Sequence, residues 1–317
     1  MFRVWHITSV IGMRNDNVVA VSSREYDFSQ HEFARIQKLI YEYAGISLSS
    51  TKQNMVYSRL ARRLRAHGLT SFNEYLSLLE KGDEAEWEAF ANSLTTNLTA
   101  FFREAHHFPI LEQHVLQSWS HRKHGENNVP VLQRYALKRN NQKMLHLWCS
   151  AASTGEEAYS MAMAMVKVFK TFTPPVHILA TDLDTNVLAK ARLGVYSMDR
   201  LEKLPEDMLK KFFLKGKGPN AGSARVRQEL LDMVTFRQLN LLDNSWPIRG
   251  PFEAIFCRNV MIYFDKSTQY KILNKFSPLL TSDGLLFTGH SENLQHAANL
   301  FKLRAKTVYE LANRQRV

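Results

Sequence analysis

Trp148-Cys149-Ser150-Ala151-Ala152-Ser153-Thr154-Gly155-Glu156-Glu157 reads as a buried strand feeding a turn of small residues that opens a helix. Apolar runs and helical runs alternate from there to the C-terminus. Met144 to Cys149 precedes helical Glu156 to Phe169, Val176 to Ala180 precedes Thr185 to Leu193, Phe252 to Cys257 precedes Lys266 to Leu280, and Leu285 to Thr288 follows. Strands apolar on both faces and separated by helices bury themselves in a mostly parallel sheet covered on both sides. The pattern predicts an α/β domain over 144–317. Lys306 to Leu311 has no clear helix before it and is expected to pair antiparallel at the sheet edge. The alternation breaks at about 194–237, where Pro205, Gly216-Lys217-Gly218-Pro219, Gly222 and an alternating run near Ala224 to Gln228 read as a hairpin-bearing insertion.

N-terminal to the strand–turn–helix unit the period is helical. Phe33, Ile36, Leu39, Ile40 and Tyr43 recur at spacings of three and four before Gly45. Ser49 or Ser50 is placed to cap a second helix ending near Gly68, and Ser71 a third. A further helical run covers Trp87 to Leu94, and another is expected through Phe101, Phe102 and Phe108 until Pro109. Residues 26–95 thus read as an all-helical domain, 1–25 as a tail, and 96–143 as a linker helix followed by a polar, basic connection.

The 317 residues are 45% hydrophobic and 22% charged, an ordinary globular mix that argues against disordered, collagenous and disulfide-scaffold classes. Two cysteines, Cys149 and Cys257, form neither a disulfide framework nor a structural zinc site, and no metal is expected. A reducing cytoplasm is the simplest location. Arg3, His6, Arg14, Asp16 and Asn17 interrupt the mildly apolar N-terminal stretch, so no membrane insertion is expected. Forty-one Lys and Arg against thirty Asp and Glu leave +11, which favours a polyanionic partner.

Small residues in the 148–157 turn let a ligand approach the backbone, and the helix start offers free N–H groups. Only Gly155 stands where a dinucleotide fingerprint needs three glycines, so a nicotinamide or flavin cofactor is disfavoured. Asp182 falls at the end of the second strand, where doubly wound folds place an acid on a ribose diol. Asp184 is better placed as a helix cap. A ribose-binding acid without a phosphate-cradling loop fits an adenosine cofactor lacking phosphates, such as S-adenosylmethionine. Polar Arg258 and Asn259 directly follow a buried strand, at the carboxyl edge where open α/β sheets bind ligands.

These residues, with Leu94-Thr95-Thr96-Asn97-Leu98-Thr99-Ala100-Phe101-Phe102-Arg103-Glu104, carry a resemblance to the CheR family of chemotaxis receptor methyltransferases, running from about Phe28 to Leu311. The resemblance implies a Rossmann-like class I S-adenosylmethionine-dependent methyltransferase domain with an inserted small antiparallel β-subdomain, preceded by the helical domain. It implies cofactor contacts from Asn97, Thr99, Arg103, Glu157, Asp182, Asn240, Leu241, Cys257, Arg258 and Asn259. The implied reaction esterifies glutamate side chains of the cytoplasmic helical domain of chemoreceptors, giving S-adenosylhomocysteine, with Arg103 and Tyr263 near the methyl-transfer centre. A cytoplasmic monomer recruited to membrane-bound receptor arrays is expected.

Lys52, Arg59, Arg62, Arg63 and Arg65 lie on the second helix with no acid between 52 and 65. Lys52, Arg59 and Arg63 share one face at 100° per residue. In the family context Arg59, Arg62, Arg63 and Arg65 are candidates for steering an acidic receptor helix. Gly216 and Gly218 resemble the subdomain loop that, in part of the family, grips a receptor C-terminal peptide. The alternative is a nucleic-acid methyltransferase whose basic helix binds RNA or DNA, although neither a base-stacking aromatic motif nor an Asn-Pro-Pro-Tyr motif accompanies it. An S-adenosylmethionine-responsive adaptor without turnover ranks last.

Overall fold

The computed structural model describes residues 24–123 and 144–313. The tail to residue 23 and the connection from 124 to 143 lie outside them.

Helix α1 (Gln30–Ala44) begins with a reciprocal cap, in which the Ser29 hydroxyl oxygen accepts the Glu32 N–H while the Glu32 carboxylate accepts the Ser29 N–H. It stops at Gly45, whose φ of 66° suits glycine and whose missing Cβ would sit 2.7 Å from Leu242 of the second domain. Helix α2 (Gln53–His67) continues directly from a 3-10 turn at Ser50–Lys52 that leaves Lys52 at the N-cap, so neither Ser49 nor Ser50 caps it as expected. Ser71 does cap α3 (Phe72–Glu80), and Asp83 caps α4 (Glu84–Leu94). Their apolar faces meet in one core containing Phe33, Ile36, Ile40, Val56, Leu60, Leu64, Tyr75, Leu76 and Phe90.

The linker departs from expectation. Phe102 and Glu104 have φ of 50° and 55°, which interrupts any helix there, and α5 (His107–Lys123) starts beyond them. Pro109 lies in its first turn, where a proline's missing N–H costs no hydrogen bond, so it opens the helix and does not end one.

The second domain runs β1 (Leu145–Cys149), α6 (Glu156–Phe169), β2 (Val176–Asp182) and α7 (Thr185–Leu193), then the insertion. The insertion comprises β3 (Val195–Ser197), α8 (Met198–Leu201), α9 (Glu206–Phe212), β4 (Phe213–Lys215), β5 (Ser223–Val226) and α10 (Gln228–Leu231). The chain returns through β6 (Val234–Gln238), β7 (Phe252–Cys257), α11 (Lys266–Phe276), β8 (Leu280–Thr288), β9 (Phe301–Ala305) and β10 (Val308–Leu311). Sheet order is β6-β2-β1-β7-β8-β10-β9, with β6 through β8 parallel and β10 antiparallel to both neighbours. The smaller antiparallel sheet is ordered β3-β5-β4.

Two boundaries move. Val234–Gln238 was expected inside the insertion but pairs with β2 in the main sheet, so the insertion ends near Leu231. The C-terminal strand is not the edge, because β9 folds back beside it through the turn at Thr307 (φ 56°). Strand β9 escapes a search for apolar runs because Lys302 and Arg304 leave only Phe301 buried. The chain moves outward one way through β1, β2 and β6 and the other way through β7 and β8, so the carboxyl ends of β1 and β7 flank the crevice where such sheets take ligands.

Candidate functional site

A cavity of about 480 Å³ opens at the carboxyl ends of β1, β2 and β7. Its other walls come from the helical domain around Ala44 to Lys52 and from the linker between Leu94 and Arg103. Asn97, Thr99, Arg103, Glu157, Asp182, Asn240, Leu241, Arg258, Asn259 and Tyr263 all line it, although they come from five separated stretches of sequence. Cys257 does not. Its side chain is wholly buried among Trp148, Ile255 and Leu286, and burial pushes its thiol well above the ordinary range. The cofactor contact implied for Cys257 is therefore not one its side chain makes; strand alternation turns that residue into the core.

The turn that decided the fold also shapes this wall. Gly155 takes φ 97°, and a Cβ there would meet Ala191 and the Tyr196 hydroxyl at 3.0 Å. The hydroxyl of Tyr196 donates to the Thr154 carbonyl at 2.7 Å, fastening the insertion to the turn. Asp182 accepts the Ser153 N–H at 2.7 Å and the Asp184 N–H at 3.0 Å. Burial nevertheless raises its pKa to about 6, outweighing those bonds. Asp184 caps α7 as expected and also accepts from the Thr95 hydroxyl and the Asn97 amide, which ties the linker to the sheet domain.

Arg258 is the buried charge at the centre. Its Nη1 donates to Glu157 at 2.7 Å, its Nη2 donates to the Arg103 carbonyl, and the Glu104 carboxylate lies 3.6 Å away. Burial raises the Glu157 pKa, with Arg258 opposing. At Glu104 burial pushes the pKa up, but Arg258 and the His290 N–H outweigh it and the net shift is downward. Glu104, His106 and His107 bring ligand atoms within 4.8 Å of one another, yet the Arg258 guanidinium already supplies the compensating positive charge there. Arg103 differs from Arg258: its Nη1 donates to the Leu98 carbonyl at 2.9 Å, and it makes no ion pair among the described residues.

Glu292 went unnoticed in the sequence. Only 6% exposed, its carboxylate accepts the backbone N–H groups of Asn259 (3.0 Å), Ile262 (3.3 Å) and Gly289, so it gathers the loops after β7 and β8. Asn259 consequently sits at φ 58°. The available signal was positional: an acid shortly after the run ending at Thr288, at the same sheet edge as Asp182.

The basic helix looks different in three dimensions. Arg59 donates to the Leu94 and Thr95 carbonyls at 3.0 and 2.6 Å, completing the C-terminus of α4. Arg63 pairs with Glu86, which is 4% exposed at its side chain and also accepts from the Tyr75 hydroxyl at 2.7 Å. Both arginines expected to steer a receptor helix are therefore engaged within the helical domain, Arg59 by carbonyls at the C-terminal end of α4 and Arg63 by an acid on α4. Arg65 pairs with Glu25 at the surface, while Arg62 and Lys52 are exposed and unpaired among the described residues. We expect Arg63→Ala to cost about 2 kcal/mol of stability, since it leaves the buried Glu86 carboxylate with only His67 (2.7 Å) and the Tyr75 hydroxyl, while leaving the KM for a protein substrate within twofold; chemical denaturation and initial-rate kinetics check this.

Gly216 and Gly218 lie in the β4–β5 turn, away from the cavity. A Cβ on Gly216 would fall 2.1 Å from the Asn220 carbonyl oxygen, and Gly218 has φ 57°, so the turn itself requires both. Beside them β4 has one free edge, and residues 210–227 carry six Lys or Arg and no acid.

A cavity of this size suits a nucleoside-sized cofactor, and Asp182 presents a half-buried carboxylate in its wall, at the carboxyl end of β2. Protonating Asp182 removes an acceptor, so cofactor affinity should fall as pH drops below about 6, by up to about tenfold per unit. Calorimetric titration with S-adenosylhomocysteine between pH 5 and 8 checks this, and Asp182→Asn should flatten the dependence.

Comparison with known proteins matches the same two regions. The family profile described as CheR methyltransferase, all-alpha domain, matches residues 31–95, and that described as CheR methyltransferase, SAM binding domain, matches residues 97–310. The chain is 47% identical to the chemotaxis protein methyltransferase of Escherichia coli (strain K12), over 96% of this chain and 99% of that protein. It is 47% identical to chemotaxis protein methyltransferase 2 of Pseudomonas aeruginosa, over 92% and 96%. It is 36% identical to the chemotaxis protein methyltransferase of Borreliella burgdorferi, over 86% and 92%.

Proposed function

Because this chain belongs to the CheR methyltransferase family, we propose that it converts glutamate side chains on the cytoplasmic helical domain of chemoreceptors to methyl esters. Membership makes it an S-adenosylmethionine-dependent methyltransferase of chemotaxis, and nothing supports the nucleic-acid alternative. No helix among the described residues is long and apolar enough to cross a membrane.

The observation that carries the glutamate reading is Arg103. It is a half-buried guanidinium in the cavity wall with no carboxylate of the described protein paired to it, beside an Arg258 that is already neutralised. An anionic side chain entering the cavity finds an available cation at Arg103. S-adenosylmethionine supplies the electrophilic methyl group on its sulfonium. A glutamate with an ordinary pKa of about 4.3 is already ionised at neutral pH, so the protein's task is to desolvate and aim it rather than deprotonate it. Arg103 holds the carboxylate, and Tyr263, whose backbone carbonyl accepts from Ser47 of the helical domain at 2.8 Å, presents its ring at the cavity wall. Asn97, Thr99, Glu157, Asp182, Asn240, Leu241 and Asn259 bind and orient the cofactor, Asn240 being itself anchored on the Tyr43 carbonyl at 2.9 Å. A receptor C-terminal peptide adds as a strand to the free edge of β4, where the basic hairpin favours an acidic sequence. The enzyme works as a cytoplasmic monomer recruited to receptor arrays.

The test is transfer of radiolabelled methyl from S-adenosylmethionine to chemoreceptor-containing membranes, followed by mild alkali. Alkali-labile label on the receptor is expected; alkali-stable label would sink the ester assignment.

A further inference from the structure

Residues 95–100 form an extended segment whose side chains alternate. Thr95, Asn97 and Thr99 are half-buried, whereas Thr96, Leu98 and Ala100 are exposed. At its centre the order is the reverse of what water favours, because Asn97 and Thr99 turn inward while Leu98, 80% exposed, faces solvent. In the short 3-10 turn Met261–Tyr263, which borders the same cavity, Met261 is buried while Ile262 is 52% exposed. Single exposed apolar residues are ordinary on protein surfaces. These two line the rim of one cavity, the one that holds Arg103, and half-buried Leu48 and Met55 continue the apolar rim on the helical domain.

We propose that Leu98 and Ile262 are a substrate-docking lip that receives the apolar flank of an acidic amphipathic helix, on the same face as its target glutamate. The reading rests on the receptor being the substrate. The occupant follows from the charges around the lip: Lys52 lies in the cavity wall and Arg62 on the same helical domain, both exposed and unpaired among the described residues, on a chain of net charge +11. A glutamate projecting from a helix has its i±3 and i±4 neighbours on the same face. When the carboxylate enters the cavity, those neighbours come down on its rim. Small or apolar residues there bury Leu98 and Ile262, and charged ones leave the lip in contact with unpaired charge. The lip thus selects among the many glutamates of an acidic helix by what stands one turn away. It is also joined to the chemistry, since the Leu98 carbonyl is the acceptor that positions Arg103.

The test compares wild type with Leu98→Ser and Ile262→Ser on membranes carrying an overproduced chemoreceptor, with S-adenosylhomocysteine affinity measured by calorimetry in parallel. Each change should raise the KM for receptor about tenfold, with cofactor affinity within twofold, because neither exposed side chain supports the core. Leu98→Glu should raise KM further than Leu98→Lys. On the receptor side, placing a glutamate at i+4 from a methylated residue should abolish labelling there and spare the other sites. The lip is overturned if wild type labels the receptor and the serine variants match its KM. Should wild type itself leave no alkali-labile label on the receptor, the ester assignment fails first and independently of any lip variant.

Discussion

Arg258→Ala should lower the stability of the methyltransferase domain by about 3–5 kcal/mol, because it leaves the largely buried Glu157 carboxylate and its neighbour Glu104 without their cation. At roughly 2–4 °C per kcal/mol for a domain of this size, the transition should fall by about 6–20 °C in differential scanning calorimetry. Glu157→Gln combined with Arg258→Met removes the closer ion pair but leaves the Glu104 carboxylate, and should recover only part of that loss. Methyl transfer should stay lost in the double variant, because the Arg103 carbonyl loses its donor and the wall holding Asn259 loses its anchor. A single Arg258→Ala protein with wild-type stability would contradict the assignment of this guanidinium as the compensating charge of the site.

Arg103→Ala should lower kcat by about 10²–10³-fold, the scale of removing one preorganised charged donor from an enclosed site. The chain should stay folded, since among the described residues Arg103 makes only one side-chain hydrogen bond, to the Leu98 carbonyl. Lysine at this position restores the charge without the planar fork and should recover only part of the rate. The discriminating readout is the split between constants: kcat falls steeply while the dissociation constant for S-adenosylhomocysteine rises at most several-fold. An equal loss in both would make Arg103 a cofactor ligand alone and leave the substrate carboxylate without its partner.

What the sequence by itself determined is what depends on neighbours along the chain. The strand–turn–helix unit at 148–157, the helix over Glu156–Phe169 and the cap at Asp184 follow from side-chain periodicity and backbone sterics within a few residues. Asp182 was legible for the same reason, since the end of a strand in a parallel sheet is a defined place. Arg258 and Asn259 were legible in the same way, as polar residues directly after a buried strand, whereas resemblance to a family added Arg103 and Asn240, which have no local signature of their own.

Tertiary structure alone decided which charges are available. Arg63 is neutralised by Glu86 on α4, 23 positions away, Arg258 by Glu157 101 positions away, and the loop holding Asn259 is gathered by Glu292 33 positions away. A basic face and a keystone therefore look alike in sequence, and two arginines read as a docking surface are engaged within the helical domain, while Arg103, held only by a carbonyl, is free for an anion. Cys257 and β9 follow the same logic, because strand facing and sheet order are set by what packs against each element. The physical reason is common to all of them: the energy of a buried charge or an exposed apolar side chain depends on its spatial partners, and folding brings those partners from stretches the chain holds far apart.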